Sequence, residues 1–226
     1  MPALTSRFQA DGFELISQLI ADEDLQSLVD AVSAISVSPG RAGIRHLLQR
    51  SHAINAFAHS SKLMNLLSPI MPQAQPVRAI WFDKTVDTNW YVTWHQDLTI
   101  AVKEKCNLDG WGPWSVKDEV VHVQPPANIL EKMISLRIHV DDCGIKNGAI
   151  KFIVGSHAQG VLDADHISSA RQSGQVFVCA AQKGDIIAMR PLILHASSLS
   201  ATPLHRRVLH IEYAGCSLPA GLEWLC

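Results

Sequence analysis

The spacing of hydrophobic residues along the chain changes near residue 76. Before that point, apolar residues recur every three or four positions between Leu25 and Val32, which predicts an amphipathic helix. Its first turn, at residues 22–24, is acidic and suits the positive end of a helix dipole. Ser38-Pro39-Gly40 is expected to end it, and a second helix is predicted over residues 60–67. The first 75 residues are therefore expected to form a mainly helical part.

After residue 76 the apolar runs become short. The run from Ile134 to Val140 alternates apolar residues with Ser135, Arg137 and His139, which is the period of a strand with two different faces. Turn signals such as Asn147-Gly148 separate similar runs. The predicted strands are 77–82, 91–94, 134–140, 149–154, 175–179, 185–189 and 208–213. Many short strands after one or two helices indicate an antiparallel sandwich.

We expect a single domain over residues 1–226, with a helical part at about 1–75 and a β core at about 76–215. One segment, 103–126, resists the strand pattern because it is rich in glycine, proline and tryptophan. Loops of this length are usually functional or disordered, and the two tryptophans argue against disorder. We therefore predict that it folds over the active site as a lid; the alternative is a rigid insertion packed on the sheet.

Composition and charge narrow the class of protein. Hydrophobic residues make up 47% of the 226 residues, and the formal net charge is −2. The absence of a basic tract argues against nucleic acid as a partner, and no apolar run approaches the roughly 20 residues needed to span a bilayer. The amino terminus lacks the apolar core of a secretory signal, and the five cysteines form no CxxC pair. We expect a soluble, cytoplasmic protein with no nucleic-acid or membrane partner.

Metal-binding chemistry is indicated by His95 and Asp97. In an extended segment, residues two apart point the same way, so the imidazole and the carboxylate would face one point in space. A histidine and a carboxylate are two of the three ligands of the facial triad that holds non-haem Fe(II). The pair alone is common by chance, so a third ligand must come from a distant strand. His195 follows a strand-like apolar run and precedes small residues, which makes it the candidate.

A carboxylate-binding group is predicted close to the third ligand. Arg206 lies eleven residues beyond His195, where the next strand could bring it back beside the metal. Its planar guanidinium can pair with one end of a dicarboxylate through two parallel hydrogen bonds. Ser197 could add its hydroxyl to the same carboxylate.

With these residues in place, the sequence resembles the phytanoyl-CoA dioxygenase family of iron(II)/2-oxoglutarate oxygenases. The matching segments are Trp94-His95-Gln96-Asp97, Asp141-Asp142, 147–157, His195-Ala196-Ser197 and Arg206. The resemblance implies a mainly β fold with packed helices, a double-stranded β-helix of the jelly-roll, cupin-like type. It implies that His95, Asp97 and His195 are catalytic iron ligands, and that Arg206 and Ser197 bind the distal carboxylate of the cosubstrate 2-oxoglutarate. Val154 stands where the family usually has proline. This difference lies in a turn and does not change a ligand.

The resemblance also implies an activity. We expect a hydroxylase that acts on a small-molecule metabolite, consumes O2 and releases succinate and CO2. Related halogenases replace the carboxylate ligand with a small residue, so the presence of Asp97 favours hydroxylation over halogenation. Desaturation and cyclisation at the same site stay open, as does a non-catalytic binding protein with a degenerate oxygenase fold.

The substrate is the least constrained part of the prediction. Arg137, His139, Trp111 and Gln124 are the candidates for substrate contact. Arg137 and His139 suggest an anionic or polar molecule, such as a small carboxylate or an amino-acid derivative. Lys84 is expected in a solvated turn. The sequence makes no prediction of the oligomeric state.

Overall fold

The computed structural model describes residues 2–35, 43–85, 87–201, 205–219 and 221–225. The α-helices are α1 (Ser6–Asp11), α2 (Asp22–Ser33), α3 (Leu47–Arg50), α4 (His52–Ala58), α5 (Ser61–Leu67), α6 (Ala127–Leu130) and α7 (Ala164–Ser173). The strands are β1 (Phe13–Ile16), β2 (Gly43–Ile44), β3 (Gln75–Lys84), β4 (Val92–His95), β5 (Ile100–Val102), β6 (Trp114–Lys117), β7 (Val120–Val123), β8 (Met133–His139), β9 (Ile150–Ile153), β10 (Val176–Cys179), β11 (Ile186–Met189), β12 (His195–Ser197) and β13 (Arg206–Ala214).

The strands form two larger sheets and a small one. The six-stranded sheet has the order β1-β11-β8-β13-β3-β2, and the four-stranded sheet has the order β10-β9-β12-β4. Neighbouring strands in both sheets pair antiparallel. Side chains from both sheets line one cavity. The prediction of a mainly β jelly roll with packed helices is confirmed.

The amino-terminal helices cover one face of the six-stranded sheet. Leu209, Ile211 and Tyr213 of β13 lie on that face and are fully buried in the main hydrophobic core, with leucines from α2 and α5. Each such aliphatic side chain contributes roughly 1.5–3 kcal/mol by leaving water. The Tyr213 hydroxyl donates to the carbonyl of Ala58 at 2.9 Å, which ties α4 to the sheet.

The other face of the same strands is directed at the cavity. Since side chains alternate along a strand, Arg206 and His210 of β13 lie opposite the core residues and line the cavity. β3 and β8 pair with β13 on either side. They contribute Arg78 and Arg137 to the cavity wall. The alternation seen in the sequence thus separates an apolar face from a charged one.

The segment 103–126 is the main departure from the sequence prediction. β6 and β7 within it form a hairpin, and β7 also pairs with β5. Trp111 and Trp114 pack against a second hydrophobic cluster that includes Val77 and Trp224. This favours the packed insertion over the lid. The sequence did not predict these strands, because the pairing of β5 with β7 spans some twenty residues and has no local signature.

Two smaller points concern the helices. α2 ends at Ser33, and Ser38-Pro39-Gly40, which was expected to end it, lies outside the described residues. None of the helices in the ranges given above has the length and apolar character needed to cross a bilayer.

Candidate metal centre

His95 and His195 are brought together by strand pairing. His95 is the last residue of β4 and His195 the first of β12, and the two residues are direct partners in the four-stranded sheet. Their ring centroids lie 4.2 Å apart. Asp97 follows β4, and its backbone N–H donates to the carbonyl of Pro191 at 2.9 Å, which fixes the turn beside His195.

The three side chains converge on one point. One ligand atom from each of His95, Asp97 and His195 lies within 4.8 Å of the other two. The Nε2 atom of His95 is 3.7 Å from Oδ1 of Asp97, and the Nε2 atom of His195 is 3.7 Å from Oδ2. Within the described parts of the chain, this is the one group of three or more such residues with the spacing of a metal site.

Hydrogen bonds prepare both imidazoles to act as ligands. Nδ1 of His95 lies 2.8 Å from the carbonyl oxygen of Thr93, and Nδ1 of His195 lies 3.0 Å from that of Ile193. A carbonyl can only accept, so each Nδ1 carries the proton. Each Nε2 therefore has its lone pair available on the side of Asp97, which is the arrangement that metal-binding histidines need. This donor set fits Fe(II).

The electrostatics also suit a divalent cation. Burial raises the pKa of Asp97, but the neighbouring His195, His210 and His95 lower it further, so its pKa falls to about 2. Burial lowers the pKa of His195 to about 4, although Asp97 acts in the opposite direction. At neutral pH the site thus offers a carboxylate and a neutral imidazole, which are the forms that bind metal.

Gln96 has a positioning role that sequence reasoning missed. Its side-chain amide donates to the carbonyls of Gly160 at 2.7 Å and Leu192 at 2.6 Å, and its oxygen accepts from the N–H of Leu162 at 2.8 Å. These bonds lock the backbone between His95 and Asp97. The signal was present in the sequence, because a glutamine between two inward-facing residues must point the other way.

The cavity beside the three side chains has a volume of about 240 Å³. Ser197 and Arg206, both predicted to bind the cosubstrate, line it. Arg206 donates to the carbonyl of Gly148, and its Nε has no partner among the described residues. Burial lowers the pKa of Arg206. A buried donor without an acceptor, on a side chain that lines a cavity, fits an anionic ligand.

Lys84 was expected in a solvated turn, and that expectation is wrong. It is the last residue of β3, pairs with Arg206 across the sheet, and is fully buried. Its Nζ donates to Oγ of Ser197 at 3.2 Å and to the carbonyl of Ser198 at 3.0 Å. Burial, and then the charge of Arg206, lowers its pKa to about 7. The sequence misled because β3 extends two residues beyond its apolar run.

The four candidates for substrate contact divide into two pairs. Arg137 and His139 line the cavity. His139 is buried, neither ring nitrogen has a partner among the described residues, and burial lowers its pKa to about 3. Trp111 and Gln124 are not among the cavity-lining residues. Trp111 packs in the second hydrophobic cluster, and the backbone of Gln124 pairs with Gly112 and Pro113 inside the insertion. The structure therefore does not bring these two to the site.

Comparisons with known proteins agree with the fold. The profile of the family described as phytanoyl-CoA dioxygenase (PhyH) matches residues 8–208. A search of curated protein sequences gives no significant match. Similar solved structures include AviO1 from Streptomyces viridochromogenes Tue57, with 20% identity, a TM-score of 0.67, and coverage of 95% of this chain and 93% of that one.

Two further structures were determined with ligands. HygX from Streptomyces hygroscopicus, with nickel and 2-oxoglutarate bound, has 14% identity and a TM-score of 0.66, over 94% of this chain and 87% of that one. EctD from S. alaskensis, with 2-oxoglutarate and 5-hydroxyectoine, has 14% identity and a TM-score of 0.70, over 92% of this chain and 74% of that one. At these identities the likeness shows a shared fold.

Proposed function

Because the chain belongs to the phytanoyl-CoA dioxygenase family of iron- and 2-oxoglutarate-dependent oxygenases, we propose that it hydroxylates a small-molecule metabolite. The observation that carries this proposal is the convergence of His95, Asp97 and His195, with both Nε2 atoms free to bind metal. We propose these three as the Fe(II) ligands. Gln96 holds the segment that connects two of them.

Bound Fe(II) would supply the activation of O2 that couples conversion of 2-oxoglutarate to succinate and CO2 with oxidation of the substrate. The protein's own contribution is to bind, orient and shield the reactants. Three protein ligands leave coordination positions for 2-oxoglutarate and O2. The side chain of His195 is only 7% exposed, whereas that of His95 is 38% exposed, so the site is reachable from the His95 side.

The cosubstrate is proposed to lie with its distal carboxylate on Arg206. A planar guanidinium matches a planar carboxylate, and the Nε of Arg206 is a buried donor that has no acceptor among the described residues. Ser197 would add its hydroxyl. Lys84, held on Ser197 and Ser198, would add positive charge when protonated. Because its pKa is about 7, that contribution would vary with pH near neutrality.

Hydroxylation is proposed over halogenation because Asp97 keeps a carboxylate where a halide would need room. Desaturation or cyclisation would use the same residues, and product analysis separates them from hydroxylation. A single domain over residues 1–226, a cytoplasmic location and the absence of nucleic-acid and membrane partners stay predictions from the sequence.

The proposal is tested by incubating the protein with Fe(II), 2-oxoglutarate and a fractionated metabolite extract in air. We expect succinate release that requires Fe(II), together with a metabolite that gains one oxygen atom by mass spectrometry. The variant Asp97→Ala should abolish both. The matched control is Asp83→Ala, which removes an aspartate on β3 that accepts from His205 away from the cavity. Succinate release that is independent of iron, or equal in the Asp97 variant, would contradict the proposal.

A further inference from the structure

Four side chains of the six-stranded sheet form a hydrogen-bonded network in the cavity. We call Arg78, Arg137, His210 and Glu212 the interior polar network; each lines the cavity that holds the proposed iron ligands. Arg137 Nη1 lies 3.3 Å from His210 Nδ1, and His210 Nε2 lies 3.4 Å from Oε1 of Glu212. Arg78 also donates to Glu212 through its Nη2. The network follows the strand register, since His210 pairs with Arg137 and Glu212 pairs with Arg78.

The hydrogen bonds fix the tautomer of His210 and the position of Arg137. A guanidinium can only donate, so Nδ1 of His210 is an acceptor and its Nε2 carries the proton, which is directed at Glu212. The guanidinium of Arg137 also lies 5.7 Å from the centre of the Phe82 ring, within range of a cation–π contact. Arg137 is thus held on two sides, while its buried Nε has no partner among the described residues.

When the charged groups in the cavity are paired, Arg137 is left without an anionic partner. Among the described residues that line the cavity, the carboxylates are Asp97 and Glu212 and the arginines are Arg78, Arg137 and Arg206. Glu212 is paired with Arg78. In the proposed enzyme, Fe(II) would be balanced by Asp97 and the metal-bound carboxylate of 2-oxoglutarate, and Arg206 by the distal carboxylate. Arg137 would then have no anionic partner, which is costly for a charge in a cavity of low dielectric.

The strand register places the backbone of Arg137 away from the cosubstrate end of the cavity, although its side chain is close enough for the charge of Arg206, after burial, to lower its pKa to about 10. Arg206 and His210 are four residues apart on β13, about 13 Å along the strand. Arg137 is the cross-strand partner of His210, whereas Ser197 and Lys84 cluster at the Arg206 end. The distal carboxylate therefore has its own set of donors, and Arg137 is available to a different anion.

We propose that the substrate carries a carboxylate and that Arg137 is the residue that binds it. This inference rests on the proposed function, because the pairing of charges assumes bound Fe(II) and 2-oxoglutarate. A carboxylate is favoured because its two oxygens match the fork of a guanidinium. His139, buried with two unpartnered ring nitrogens, would supply a further polar contact beside Arg137. Arg137 is a specificity-determining residue in this account.

The experiment uses the protein with Co(II) in place of Fe(II), saturated with 2-oxoglutarate, and sodium acetate as the probe. Broadening of the acetate methyl proton resonance by Co(II) reports an acetate bound close to the metal. We expect saturable broadening in the wild type and none with acetamide, the neutral analogue. Arg137→Gln should weaken acetate binding about tenfold or more, since bonds to a charged partner are lost. Arg137→Lys, which keeps the charge without the fork, should fall between the two.

The matched control is Arg207→Gln. Arg207 is on the same strand as Arg206 but on the opposite face, paired with Asp141, and its loss should leave acetate binding unchanged. Visible absorption of bound Co(II) and its response to 2-oxoglutarate are recorded in the same samples. If the metal or 2-oxoglutarate fails to bind the wild type, the proposed function fails. If both bind but acetate broadening is absent, or is equal in the wild type and Arg137→Gln, the inference about Arg137 is overturned. A tenfold loss of 2-oxoglutarate affinity with unchanged acetate binding would overturn it too, by assigning Arg137 to the cosubstrate.

Discussion

The two faces of the six-stranded sheet bury very different side chains. On the helix-covered face, Leu136 and Leu209 are fully buried among apolar neighbours. On the opposite face of the same sheet, Arg206, Glu212 and Lys84 are buried to nearly the same degree. Apolar burial stabilises the fold, whereas burial of charge has a desolvation cost that partners offset only in part. One set of strands therefore carries stability on one face and ligand binding on the other.

Stability alone does not account for the charged face. A jelly roll of this size could fill its interior with aliphatic side chains, and well-packed replacements for buried charges are often neutral or stabilising. The charges are arranged so that each has a partner within the sheet or faces a ligand site. Measuring stability and ligand affinity on the same variants separates the roles of the two faces.

The largest effect is expected at Glu212. Glu212→Ala would leave Arg78 as a buried cation without a carboxylate, at a cost of about 3–5 kcal/mol in the free energy of unfolding. Burial raises the pKa of Glu212, but Arg78 and His210 lower it below its usual range. The stability it provides is therefore present above the unfolded-state pKa and lost as the pH falls through the lower folded-state value. Urea unfolding at several pH values measures both effects.

The control for that experiment is Glu223→Ala, an exposed acid paired with Lys103 at the surface. We expect no clear change in the unfolding midpoint. Equal midpoints for Glu212→Ala and the wild type would show that the interior polar network does not behave as a buried ion pair.

The helix-covered face should respond in stability alone. Leu209→Ala would remove a fully buried side chain and cost about 2–5 kcal/mol. Metal and 2-oxoglutarate affinity, measured by calorimetry well below the melting temperature, should be unchanged. Val116→Ala, at a side chain on the insertion that is 69% exposed, serves as the control and should alter neither property. A large loss of affinity in Leu209→Ala would mean that the two faces are not independent.

The cosubstrate end of the cavity should respond in affinity instead. Arg206→Gln is expected to weaken 2-oxoglutarate binding by about tenfold to a hundredfold, because charge-assisted hydrogen bonds to the distal carboxylate are lost. The unfolding midpoint should stay the same or rise, since a buried cation is removed. Isothermal titration with the metal-loaded protein gives the affinity. An unchanged affinity for 2-oxoglutarate would remove Arg206 from the proposed site.

The smallest effect near neutral pH is expected at Lys84, and it depends on pH. The pKa of about 7 lies below the ordinary value of 10.5, so between these values the unfolded chain binds more protons at this group than the folded one. Stability contributed by this group therefore rises with pH across that window. Lys84→Met should remove that rise and raise stability near pH 7 by about 1 kcal/mol. Parallel pH profiles for the variant and the wild type would contradict the lowered pKa.

Residues close in sequence or set by strand alternation were predictable. His95 and Asp97 lie two apart, His195 follows an apolar run that folds as β11 and leads into β12, and Arg206 begins β13. The structure places these four, with Ser197, around one cavity, although their roles as ligands stay predictions. Arg137 and His139 were placed on one strand face by the same alternation, and that face lines the cavity.

What the sequence did not reveal depends on long-range pairing. Lys84 looked like a turn residue, because nothing local shows that β3 continues far enough to pair with Arg206. Trp111 and Gln124 looked like lid residues, because the pairing of β7 with both β5 and β6 has no sequence signature. The network from Arg137 to Glu212 depends on which strands lie on either side of β13. The sequence of a single strand does not show which strands will pair with it.

The central claim is that His95, Asp97 and His195 hold Fe(II) beside a 2-oxoglutarate site, and it is tested most directly by anaerobic titration. Fe(II) is added to the protein with 2-oxoglutarate in the absence of O2, and the visible charge-transfer absorption of iron chelated by the 2-oxo acid is followed. We predict a saturable band in the wild type and no band in Asp97→Ala at the same concentrations, because loss of a ligand should cost more than the tenfold to hundredfold typical of the residues that support ligands. The same band in Asp97→Ala, or no iron binding by the wild type, would contradict the account.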